Sequence, residues 1–256
     1  MQLGPISLSV ELLLWAGFLL CGGLLIVFRG WWIELLGLLG VYGLLCLLVS
    51  RFPFVLPDLQ VGPLTLSRIV LAQAVTGLTV VAILAVTVVV RQRAVRDVQQ
   101  PLDEVTEARL RWTAWRTARL GGRQFRLVNY LLPVLAFAVL VLVAYGLALV
   151  YPLVRISGAP GGLLGGYVDL IWYWLGLAGL LTVLLAQEVH EVSIGLLLCW
   201  NSVTLLYIAL SRTIGLLALG LLDVVAVLVA LGSAYLAMLF YLRLRRWQLP
   251  SAEEWE

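Results

Sequence analysis

The sequence predicts an all-α fold: a polytopic membrane helix bundle of about seven transmembrane helices, N-terminus outside and C-terminus cytoplasmic. Three observations carry that prediction. The first is composition. Of 256 residues, 62% are hydrophobic and only 12% charged, with a mean hydropathy of +1.05, against roughly 45–50% apolar and about 25% charged in soluble domains. The second is the presence of seven apolar runs close to the roughly 20 residues that a bilayer core requires. The third is the placement of the arginines.

The runs cover residues 8–28, 31–50, 66–90, 128–152, 167–187, 192–211 and 214–242. The first lacks a basic leader and a small-residue cleavage site, so it reads as a retained span. Breaks rich in glycine, proline and arginine separate several runs, at 29–31, 51–63 and 155–166. Proline and glycine there favour turns over a continued helix. No strand-like alternation competes. The chain therefore divides into a three-helix membrane unit (1–100), an interfacial linker (101–127) and a four-helix membrane unit with a basic tail (128–256).

No lysine occurs, and all 17 basic residues are arginine, which excludes a lysine Schiff base. Nine arginines, from Arg91 to Arg126, lie between the third and fourth runs. Arg243, Arg245 and Arg246 follow the last run, and Arg29 follows the first. All of these fall on the cytoplasmic side if the N-terminus is outside, as the positive-inside rule requires. Trp31, Trp32, Trp172, Trp174 and Trp247 fall near the predicted interfaces, as an aromatic belt would. Within the linker, Val105, Ala108, Trp112 and Trp115 recur at helical spacing among arginines, the pattern of an amphipathic helix lying on the membrane surface. It serves either as an anchor on anionic lipid or, through Arg109, Arg111, Arg116 and Arg119, as a docking surface for a soluble protein.

Polar residues inside the runs are the functional candidates, because hydrocarbon penalises them. Asp223, in GLLDVVAVLV, is the deepest and is placed near the middle of its run. Glu34 and Glu11 are shallower and able to snorkel. Asn201 lies mid-run, and Gln73, with Thr76 and Thr79, polarises the third run. Amides and hydroxyls at such positions mostly join helices, for about 0.6 kcal/mol each. Asp223 suits either proton chemistry or a neutral, hydrogen-bonded structural role. His190, the single histidine, is flanked by Glu188 and Glu191 and is expected in a solvated turn, where it could pass protons. Cys21, Cys46 and Cys199 lie apart and read as small hydrophobes. No P-loop, GxGxxG, GxSxG, HExxH or CxxC pattern is present, so the sequence offers no catalytic residue, no cofactor and no metal motif, and nothing in it implies a nucleic-acid partner.

The sixth and seventh runs read IGLLLCWNSVTLLYIALSR and IGLLALGLLDVVAVLVALGSAYLAMLFYLRLRR. This pair resembles the C-terminal helices of component E in hydrogenase-4-type membrane complexes, relatives of the small K-type membrane subunit of bacterial complex I. The matching positions are Gly195, Asn201, Gly220, Asp223 and the run VVAVLV. IELLGLLGVYGLL, with Glu34, and VLAQAVTGLTVV are similar to the second and third K-type helices. The chain departs from the family at Trp200 and Ala218, which stand where glutamates are expected, and at Gln73 or Thr76, which replace Glu or Lys. The 91–126 connection is also longer than the family norm.

The resemblance implies a small membrane-arm subunit of a respiratory or hydrogenase-like assembly in the cytoplasmic (inner) membrane. Its partners would be antiporter-like subunits and a quinone or hydrogenase module, with redox chemistry residing in them. This chain would then have a structural or coupling role in proton or ion translocation. The proton-pathway candidates are Asp223, Glu34, Asn201, Gln73 and His190. The alternatives are a stand-alone permease, a transporter membrane subunit docking a cytoplasmic ATPase, and a membrane scaffold or assembly protein.

Overall fold

A computed structural model describes residues 5–27, 30–52, 59–61, 64–98, 124–154, 163–186, 188–211 and 216–244. The proposed linker helix, with Arg109, Arg111, Arg116 and Arg119, lies outside these residues. Seven helices are described: α1 (Pro5–Val27), α2 (Trp31–Val49), α3 (Arg68–Val98), α4 (Gln124–Val150), α5 (Leu163–Leu184), α6 (Val189–Leu210) and α7 (Leu216–Leu244). All seven are long and apolar enough to cross a membrane, so this is a multi-pass membrane protein. Six of them lie within about four residues of their apolar runs, and α3 continues eight residues past residue 90 to Val98. Large apolar side chains also cover the outside, among them Leu13, Leu142 and Leu217, because hydrocarbon solvates leucine as well as a protein core does.

One detail differs from the expectation. The 51–63 connection leads into a short antiparallel hairpin, β1 (Leu59–Val61) and β2 (Leu64–Leu66), in register Leu59↔Leu66 and Val61↔Leu64. Strands of three residues are too short to show alternation in the sequence.

The helices form two layers of three, α1–α2–α3 and α5–α6–α7. Neighbours pack within each layer, and α1 packs on α5, α2 on α6 and α3 on α7 across it. α4 lies outside, against α1 and α5. A sequence echo accompanies this arrangement: Leu66-Ser67-Arg68 and Val80-Val81-Ala82 recur at the same spacing as Leu210-Ser211-Arg212 and Val224-Val225-Ala226.

Small residues and indoles set the closest approaches. A Cβ on Gly179 would lie 2.6 Å from the Gly195 carbonyl oxygen, and one on Gly195 would lie 2.7 Å from that of Gly179. The α5 and α6 backbones therefore touch, as paired glycines permit. Trp174 is fully buried and donates its Nε1–H to the Phe18 carbonyl of α1 at 3.1 Å. It is a core residue of the α1–α5 contact and not part of an interfacial belt, because its indole found a carbonyl partner inside the bundle.

Candidate functional site

Asp223 stands seven residues into α7, about 10 Å along the axis. In the membrane-spanning stretch Leu217–Leu239, Asp223 stands about midway between the Leu217 end and the middle. Its carboxylate faces α3. Gln73 Nε2 donates to Asp223 Oδ1 at 3.3 Å, and Thr76 hydrogen-bonds the same carboxylate. Gln73 and Thr76 are three residues apart on one face of α3, and both are buried. Their spacing turns two weakly polar helix positions into one receptor for a carboxylate on α7.

Asn201 belongs to a different contact. It is 2% exposed and lies beside Tyr42 of α2, which is 3% exposed. The Asn201 Nδ2 and Tyr42 hydroxyl have no hydrogen-bond partner of good geometry. Asp223 lies near enough for its charge to act on both Tyr42 and Cys46. Gly77 of α3 makes room for the tyrosine, since a Cβ there would sit 2.6 Å from the ring. Trp200 donates its Nε1–H to the Leu222 carbonyl at 2.8 Å. It joins α6 to α7 one residue before Asp223. Tyr42 carries chemistry that the sequence reading passed over, and its position eight residues after Glu34, on the same face of α2, was the available signal.

Glu34 and His190 form a second cluster at the other end of α2. Glu34 is 4% exposed and does not snorkel; its Oε2 lies 3.0 Å from His190 Nε2. His190 Nδ1 lies 3.1 Å from Glu188 Oε2. His190 is thus held between two carboxylates on the first turns of α2 and α6, and is not in a solvated turn. The reason is local: Glu188 and Glu191 form a reciprocal capping box at the start of α6, which fixes both acids around the imidazole. A neutral imidazole donates from one nitrogen only. Both contacts are hydrogen bonds only if the ring is imidazolium or one carboxyl carries a proton. Glu34, His190 and Glu191 also offer three ligand atoms within 4.8 Å of one another.

Asp169 is a further intramembrane acid, and the sequence reading missed it. It is fully buried near the start of α5 and accepts from the Val154 N–H at 2.9 Å and from Trp172 Nε1 at 3.3 Å. It ties Val154, just past the end of α4, to α5, a structural task. A carboxylate in GGYVDLIWYW was signal enough to find it.

Of the five proton-pathway candidates, Gln73 and Asp223 are joined, Glu34 and His190 are joined, and Asn201 pairs with the unanticipated Tyr42. No family model, no curated protein and no solved structure matches this chain.

Proposed function

We propose that this chain is a small membrane-arm subunit of a respiratory or hydrogenase-like assembly, with a coupling role in proton translocation centred on Asp223. The observation that carries the reading is the Gln73–Asp223 hydrogen bond between α3 and α7, inside the span. An intramembrane carboxylate costs about 2.5–3.5 kcal/mol on insertion scales. One or two polar side-chain contacts, at about 0.6 kcal/mol each, do not offset that cost. A residue retained at net expense marks function. The resemblance of the last two helices to component E of hydrogenase-4-type complexes supplies the kind of function.

The layered architecture supports the same reading. The α5–α6–α7 layer stacks on α1–α2–α3 in the same order, so the contact is heterologous and remains open at both outer faces. Those faces suit neighbouring membrane subunits, antiporter-like on one side and a quinone or hydrogenase module on the other. With the arginine-rich ends of the helices cytoplasmic, the N-terminus is outside and the Asp223 cluster lies in the outer half of the inner membrane.

The test is Asp223→Asn in the assembled complex, purified in mild detergent with its co-eluting subunits identified by mass spectrometry. The expected result is intact assembly, with proton-coupled turnover lowered on the order of tenfold or more. Full turnover in the intact complex removes Asp223 from the mechanism. Recovery of the chain as a lone species, or with an ATPase, overturns the subunit assignment.

A further inference from the structure

The cluster at the Glu34 end of α2 has a geometry that a proton network does not require. Glu188 lies 3.1 Å from His190 Nδ1, where a carboxylate fixes the tautomer with its proton on that nitrogen. Nε2 meets Glu34 Oε2 at 3.0 Å, a contact that requires a positive charge between the two atoms, either the second proton of an imidazolium or a bound cation. Glu34 Oε2 is buried, and its contact with His190 lacks the geometry of a good hydrogen bond. Glu191 is the third member, with all three ligand atoms within 4.8 Å of one another. A cavity of about 20 Å³ opens beside them, lined by Leu25, Ile26, Glu34, Thr182, Leu185 and Glu191. That volume holds about one water.

We infer that Glu34, His190 and Glu191 form a binding site for a divalent transition cation of the zinc class, with the adjacent cavity supplying a water as fourth ligand. Zinc takes one histidine nitrogen and carboxylate oxygens at about 2.0–2.2 Å in tetrahedral geometry. Two such ligands stand about 3.3 Å apart, close to the 3.0 Å between Nε2 and Oε2. A histidine ligand ordinarily donates its other N–H to a carboxylate, which sets the tautomer and raises the basicity of the ligating nitrogen. Glu188 stands in that position. Glu191 Oε2 accepts the Glu188 N–H at 3.3 Å, so the capping box orients this carboxylate as well. The ligands come from α2 and from the first turn of α6. No short sequence motif could therefore announce the site. The proposal is independent of the proton reading, which rests on Asp223.

The experiment uses the full chain without a polyhistidine tag, stripped with chelator and titrated with Zn²⁺ in detergent. One equivalent is expected to bind. The affinity should fall by at least about tenfold in Glu34→Gln, in Glu191→Gln and in Glu188→Gln, and stay unchanged in Glu11→Gln. Co²⁺ in place of zinc should give the visible absorption of a four- or five-coordinate site, and Glu191→Gln should diminish it. Glu191 is less buried than Glu34, so its variant tests the same ligand set should Glu34→Gln fail to fold. Binding of less than one equivalent, affinity undiminished in folded Glu34→Gln or Glu191→Gln, or an octahedral Co²⁺ spectrum each overturns the site. Loss of zinc binding with normal Asp223-dependent turnover, or the reverse, separates the two proposals.

Discussion

At the scale of single residues, several polar side chains meet a partner on another helix, among them Gln73, Trp200 and His190. Gln73 illustrates why this matters. A glutamine on α3 alone is ordinary helix glue, yet its Nε2 donates to a carboxylate 150 positions away. The coupling between the two is measurable. A double-mutant cycle with Gln73→Leu and Asp223→Leu, read from unfolding in mixed micelles, should return about 0.6 kcal/mol and no more than about 1.7. Coupling of zero would mean that Asp223 finds equivalent donors elsewhere and that Gln73 does not hold it. Tyr42→Phe tests the neighbouring pair. Its hydroxyl is buried and lacks a partner of good geometry, so deleting it should leave stability unchanged or raise it by up to about 1–3 kcal/mol. A loss of stability in the same assay would show that the Tyr42–Asn201 contact is a full hydrogen bond.

At the scale of elements, the apolar runs made all seven helices legible, since length and hydropathy suffice to mark a span. The side-chain partners were not legible, for a physical reason. Apolar residues surround each of these helices, so periodicity identifies no buried face. The sequence therefore gave no indication that Glu34 turns inward to His190 or that Trp174 enters the core. Glycine positions were equally silent, although the structure separates them sharply. Gly179 and Gly195 hold α5 and α6 in backbone contact, while a Cβ on Gly43 or Gly232 meets nothing within 4 Å. Gly179→Ala should therefore destabilise the bundle by about 1–3 kcal/mol, because backbone atoms cannot yield as a flexible side chain does. Gly43→Ala should be neutral, or stabilising by up to about 1 kcal/mol through helix propensity. Equal effects at the two sites, in the same unfolding assay, would refute the close α5–α6 crossing.

At the scale of the whole molecule, the order of stacking is the informative feature. Each helix of the first layer meets its counterpart in the second, α1 with α5, α2 with α6 and α3 with α7. The Leu-Ser-Arg and Val-Val-Ala segments shared by residues 66–82 and 210–226 fit a chain made of two like three-helix units. Both polar clusters then lie between the units: Gln73 with Asp223 joins α3 to α7, and Glu34 with His190 joins α2 to α6. Helices that insert independently associate afterwards through packing and interhelical hydrogen bonds. Co-expression of residues 1–100 and 124–256 as separate polypeptides should accordingly yield a complex that copurifies in mild detergent. Gly179→Ala lies within one half and should weaken that half without dissociating the pair. Asp223→Leu and Glu34→Leu each remove a contact that crosses between halves, and together they should lower the yield of copurified complex. Halves that never copurify, while each inserts into the membrane, would show that the covalent connection and not the interlayer packing holds the two units together.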